Sequence, residues 1–207
     1  MVHTEKAILC LFLFLYITKI SFGQTLPFRN YQKENGLLDL NIYTIVQDSR
    51  GYLWFASKGG LSRFDGLEFK NYRKADGLAD NTVLAVMEDN RQRIWVGTRK
   101  GAGYLSAGRF KNYTTQHGLA GNTVWAIAQD RKGILWFGTG QGLCRFDGKT
   151  FRTFTTADGL GSDTIFRIQV DRAGKLWVAT QKGLSCSRTR NPNDGFINYT
   201  TAHGLSN

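Results

Sequence analysis

Apolar and polar residues alternate along this chain in short bursts separated by turn residues, a strand pattern and not a helical one. Ile42-Tyr43-Thr44-Ile45-Val46 is apolar and β-branched, which predicts a first strand. Asp48-Ser49-Arg50-Gly51 places Asp and Gly at the first and fourth positions of a turn. Leu53-Trp54-Phe55-Ala56 is continuously apolar, as a strand covered on both faces is. Lys58-Gly59-Gly60 turns the chain, and Leu61-Ser62-Arg63-Phe64 alternates as a half-buried strand does. Asp65-Gly66 signals a hairpin, after which Glu68-Phe69-Lys70-Asn71-Tyr72 alternates again as an outer strand.

The same string recurs. Trp54, Trp95, Trp136 and Trp177 are each 41 residues apart, and Gly60, Gly101, Gly142 and Gly183 follow them by six. Gly36-Leu37, Gly77-Leu78, Gly118-Leu119 and Gly159-Leu160 keep the same step. Phe69, Phe110 and Phe151 follow the tryptophans by fifteen and Phe196 by nineteen, because Asn191-Pro192-Asn193-Asp194 lengthens the last loop. Four antiparallel strands in a period near 41 are the content of a β-propeller blade, so the expected fold is all-β: four four-stranded antiparallel blades forming part of a propeller. A single sheet cannot hide both faces, so neighbouring blades must cover them with the repeated Trp, Phe and Leu. The recurring indoles are therefore expected between successive sheets.

The turn aspartates Asp48, Asp89, Asp130 and Asp171 all lie six residues before a Trp. Acid–base or metal chemistry calls for unlike groups converging on one place, whereas these repeat in every blade, so we read them as acceptors for backbone N–H groups that fix the turn. No metal site or cofactor is expected. Gln92 stands where the other repeats have the turn glycine, which suggests a position that does not require positive φ. The second repeat is the least regular: Gly101-Ala102-Gly103-Tyr104 replaces the usual string and the Phe-Asp-Gly hairpin is lost. Drift explains this, as does the approach of a ligand or partner.

The ends add a leader and two part-repeats. Lys6 precedes an apolar run from Ala7 to Ile17, and Ser21 and Gly23 are small residues before Gln24. This reads as a signal peptide over 1–23, too short for a comfortable membrane span, with cleavage near Gly23/Gln24 and a periplasmic or secreted product. Residues 24–35 carry Phe28-Arg29-Asn30-Tyr31, matching Phe69 to Tyr72, and are expected to form a lone outer strand of a closing blade. Blades then span 36–75, 76–116, 117–157 and 158–202, and 203–207 opens a truncated fifth repeat. The chain thus reads as a fragment of a larger ring, with a small four-bladed ring as the alternative.

Of 207 residues, 27 are Lys or Arg and 16 Asp or Glu; removing the leader leaves 25 and 15, a charge of +10. The charges are spread evenly, which favours a solvated surface over a dedicated anionic partner, and nucleic acid does not suit an exported chain. Cys144 and Cys186 are 42 residues apart, one off the period, so they should face opposite sides and stay unpaired.

Three functions remain: a ligand-sensing or interaction module, an exported propeller enzyme such as a lyase or glycan-active enzyme, and an adhesive array. Catalysis needs a non-repeated polar set, which the sequence does not offer. Binding could use Tyr43, Leu84, Trp125 and Phe166, large and variable residues near the repeat openings. Trp125 could stack on a sugar ring, but a place in the core is the expectation the sequence favours. The expected partners are an oligosaccharide or other extracellular ligand, and the remaining blades of a longer sensor or a second copy.

The string Asp130-Arg131-Lys132-Gly133-Ile134-Leu135-Trp136-Phe137-Gly138-Thr139, then Gly142 to Gly148, with the Asp158-Gly159-Leu160 opener, resembles the two-component regulator propeller repeat. The resemblance covers 28–207 and implies the N-terminal part of the periplasmic sensor region of a hybrid histidine kinase, often glycan-related, in which further blades, a β-sandwich, a membrane helix and a kinase follow. No phosphoacceptor or nucleotide-binding motif occurs here. His117 and His203 hold the loop position of Asn35, Asp76 and Asp158, so they read as turn residues.

Overall fold

Among the described residues the alternation resolves into sixteen strands in four sheets. The structure is a computed structural model that describes residues 28–206. Blade 1 contains β1 (Ile42–Gln47), β2 (Leu53–Ser57), β3 (Leu61–Phe64) and β4 (Phe69–Tyr72). Blade 2 contains β5 (Val83–Glu88), β6 (Ile94–Thr98), β7 (Gly101–Ser106) and β8 (Arg109–Tyr113). Blade 3 contains β9 (Val124–Gln129), β10 (Leu135–Thr139), β11 (Gly142–Phe146) and β12 (Phe151–Phe154). Blade 4 contains β13 (Ile165–Val170), β14 (Leu176–Thr180), β15 (Gly183–Ser187) and β16 (Phe196–Tyr199). Each sheet is an antiparallel meander in chain order. Successive inner strands pack together, β1 on β5, β5 on β9 and β9 on β13, and no comparable packing joins β13 to β1. The four blades therefore form an arc.

The chain divides into two units at Asn30, and the blades belong to the second. The expected leader and cleavage site lie outside the described residues. Of the expected lone strand, residues 28–32 take no part in any of the four sheets, and 24–27 lie outside the description.

Between blades the chain makes a one-turn 3₁₀ helix closed by its third residue. The backbone N–H of Gln32, Arg73 and Thr155 donates to Asn35, Asp76 and Asp158 at 2.8–2.9 Å. His117 and His203 do the same job through Nδ1, accepting from Thr114 and Thr200 at 3.0 and 3.2 Å. Both histidines are thus turn residues, and the bond places the neutral ring's proton on Nε2. Each turn ends on a glycine with φ near 100°, such as Gly118 at 104°, where a side chain would meet Phe151 of the next outer strand.

Three hydrophobic clusters fill the gaps between blades. Trp54 and Tyr72 of blade 1 pack on Val83 and Val96 of blade 2; Trp95 packs on Phe137 and Phe146 of blade 3; Trp136 and Phe154 pack on Ile165 and Val178 of blade 4. These three indoles are 3%, 0% and 1% exposed. Trp177 departs from the expectation: it is only half-buried, because each indole faces the blade that follows and no described blade follows the fourth. Cys144 and Cys186 are free and buried, and burial pushes the Cys144 thiol above its ordinary range.

Each turn aspartate does more than hold backbone. Asp48 Oδ1 accepts from the N–H of Arg50 and Tyr52 at 3.0 and 2.9 Å, while Oδ2 accepts from Trp54 Nε1 at 2.8 Å. The indole bond recurs at Asp89, Asp130 and Asp171, at 2.8, 3.2 and 3.0 Å. The carboxylate thus fastens the turn to the aromatic that the next blade covers.

Gln92 corrects the reading of its position. Its φ is 58°, in the same left-handed region as Gly51, Gly133 and Gly174 at the equivalent place. The turn imposes the conformation and Gln92 bears the strain. Gln92→Gly is expected to raise stability by about 1 kcal/mol, read as an upward shift of the urea midpoint at constant slope.

Candidate ligand cleft at the inner strands

The inner strands share a one-residue irregularity. Ile42 pairs with Ser57 and Thr44 with Ala56, so Tyr43 bulges out of the ladder. Leu84 is skipped between Val83 and Ala85, Trp125 between Val124 and Ala126, and Phe166 between Ile165 and Arg167. A bulge bends the strand and re-aims the side chain it carries. Neighbouring blades satisfy two of the bulged carbonyls: Thr44 Oγ1 donates to Leu84 O at 3.0 Å, and Arg167 donates to Trp125 O at 3.3 Å.

The four bulged residues line one cleft of about 480 Å³, together with Arg167. Trp125 and Phe166 are 5.4 Å apart, centre to centre, with their planes 35° apart. Tyr43 and Phe166 are 41% and 44% exposed, and Trp125 is half-buried outside the three core clusters. Unlike, partly exposed aromatics converging on one concavity fit a ligand face better than a core. Arg167 Nη1 also donates to its neighbour's carbonyl, Phe166 O, at 3.0 Å, which holds the guanidinium beside the two rings.

The far edge of Trp125 borders a second, polar cleft of about 360 Å³ lined by Thr115, Asn122, Thr123 and Gln141. Gly140 admits the ring: a Cβ there would lie 3.5 Å from it. Sequence reasoning named Tyr43, Leu84, Trp125 and Phe166, and the structure gathers all four. It passed over Arg167 and the polar cleft. Arg167 had a signal, since it occupies the position held by Thr44, Ala85 and Ala126, where other blades keep a small residue. Of the polar residues, Asn122 and Thr123 match Asn81 and Thr82 of blade 2 and so read as repeat residues, which gave no signal. Among the described residues, no three metal-ligating side chains come together, and no helix is long and apolar enough to cross a membrane.

Bladed sheets in meander order, packed through interleaved aromatics, define a β-propeller repeat module. The family described as two component regulator propeller matches residues 36–59, 77–100, 118–141 and 159–182, one segment in each blade. The chain is a two-component regulator propeller-repeat protein. Among curated proteins, none matches it. Among solved structures it is similar to the extracellular domain of a putative hybrid two-component system of B. thetaiotaomicron, at 30% identity and a TM-score of 0.72 over 83% of this chain and 24% of that one. A second such domain from that organism matches at 23% identity and a TM-score of 0.69, over 80% and 26% of the two chains. Virginiamycin B lyase from Staphylococcus aureus, as the catalytically inactive H270A form with quinupristin, matches at 16% and 0.65, over 80% and 57%. The last two likenesses establish the fold alone. The chain spans about a quarter of the length of the two-component domains it resembles.

Proposed function

We propose that this chain is part of an exported, non-catalytic ligand-sensing propeller, and that it recognises an extracellular saccharide at the cleft around Trp125. The observation that carries the reading is the convergence of four bulged, unlike side chains on one concavity, in a molecule whose other features repeat from blade to blade. An indole with an apolar cleft on one side and amide and hydroxyl groups on the other suits a sugar ring, which has a C–H face and a hydroxyl rim. An extracellular setting is supported by the two-component neighbours, which are extracellular domains, and by the N-terminal sequence. The remaining blades of a longer sensor, or a second copy, would cover the half-buried Trp177 face of blade 4.

Calorimetric titration with a panel of oligosaccharides tests this. At least one should bind, and Trp125→Ala should weaken it by about tenfold, roughly 1.4 kcal/mol. Binding by no member of the panel would favour an adhesive array, and an unchanged affinity in Trp125→Ala would remove the cleft from the function.

A further inference from the structure

Arg167 is the single charged side chain lining either of the two clefts that meet at Trp125. It is exposed, and among the described residues no carboxylate lies within ion-pair distance of it. Its Nη1 donates to the carbonyls of Trp125 and Phe166, at 3.3 and 3.0 Å. Those bonds do not call for a charge. In blade 1 the equivalent Thr44 caps the bulged carbonyl of Leu84 with a neutral hydroxyl, at 3.0 Å. Blades 2 and 3 have alanine there, Ala85 and Ala126. The positive charge of Arg167 is thus surplus to the packing of the bulges.

The rim on the other side of Trp125 shows the reverse departure. Blades 1, 2 and 4 carry a cation in the turn between their second and third strands: Lys58, Arg99 with Lys100, and Lys182. Blade 3 carries Gly140 and Gln141 instead. A cation is missing where the other blades have one, and present where they have none. The two departures flank one residue: Gly140 faces the six-membered ring of Trp125, and Arg167 binds the Trp125 carbonyl. Apolar walls weaken screening by water. A lone guanidinium beside Leu84, Trp125 and Phe166 therefore attracts an anion more strongly than one on open surface.

We propose that the ligand of this cleft is an acidic saccharide, and that Arg167 pairs with the carboxylate of a uronic acid unit whose ring stacks on Trp125. This rests on the saccharide reading of the cleft, and adds to it the charge of the sugar and the residue that recognises it. With Nη1 engaged by two carbonyls, the Nε–Nη2 edge of the guanidinium remains for two parallel N–H···O bonds to a carboxylate. The hydroxyls of the sugar are left to the uncharged amides of Asn122 and Gln141 on the opposite rim.

Oligomers of galacturonate, glucuronate and mannuronate, each beside its methyl ester, are the probes. Esterification keeps the sugar ring and removes the charge. In calorimetric titrations at least one acid should bind at least about tenfold more tightly than its ester, and the difference should shrink as salt is raised. Arg167→Gln should abolish that preference while the ester binds as it does to the parent protein, which shows the cleft to be intact. Arg167→Lys keeps the charge and should retain part of the preference. Equal binding of acid and ester, or a preference unchanged in Arg167→Gln, would overturn the proposal. If neutral oligosaccharides bind and Trp125→Ala weakens them while no acid is preferred, the saccharide reading stands and the acidic one falls. If no sugar of either kind binds, both fall.

Discussion

Trp95→Ala is expected to destabilise the protein by about 3–5 kcal/mol, and Trp177→Ala by about 1–2 kcal/mol. The two residues occupy the same place in the repeat and carry the same aspartate bond, so only their surroundings differ. Trp95 is fully buried between sheets. Its ring centre lies 4.7 Å from Tyr104, 5.9 Å from Tyr113 and 5.5 Å from Phe137 of the next blade. Truncation there leaves a cavity that two rigid sheets cannot close, so lost packing adds to the lost transfer energy. Trp177 stacks on Tyr199 of its own blade at 6.0 Å and is half-buried, so water fills the space it vacates. Urea unfolding of both variants measures the difference. Equal losses would mean that something covers blade 4 as fully as blade 3 covers blade 2.

Asp89→Ala is expected to cost about 2–4 kcal/mol. The substitution strands the buried Trp95 indole N–H and the part-buried backbone N–H groups of Arg91 and Arg93, and removes the Arg93 ion pair. Burial pushes the Asp89 carboxyl up, but the hydrogen bonds from Arg93, Trp95 and Arg91 outweigh it and hold the group below its ordinary value. The Asp171 carboxyl is held low as well, first by the Trp177 indole and then by the Lys175 amide. A group whose pKa falls on folding stabilises the protein above its unfolded pKa, about 3.9 for Asp, and that contribution is lost as pH drops through the folded value. Thermal midpoints should therefore hold above roughly pH 5 and fall on further acidification, and Asp89→Asn should flatten part of that fall. An acid limb identical in Asp89→Asn and the parent protein would show that this turn does not carry the sensitivity.

Strand positions came through in the sequence almost to the residue. Leu61–Phe64 is as expected, and β1 and β2 each run one residue further than their apolar strings. Such strings are local, and four copies average out the noise of any one. The aspartate turns were legible as turns, but the bond from Asp48 to the Trp54 indole was not. Six residues of separation say nothing of side-chain reach until the hairpin closes. Gln92 misled in the other direction: a non-glycine residue suggested a relaxed turn, while the fold forces φ to 58° at a local cost.

By itself the sequence determined the repeat unit, its number, the order of its strands and the aromatic row that packs one blade on the next, because hydrophobic alternation and turn chemistry act over a few residues. Tertiary structure alone decided which equivalent residues cease to be equivalent. Trp177 differs from Trp136 because burial depends on what lies across the gap. Tyr43, Leu84, Trp125 and Phe166 share a cleft because four bulges turn toward one axis. Each of these is a relation between chain segments about forty residues apart, and sequence spacing records their recurrence without fixing how the packed sheets bring them together.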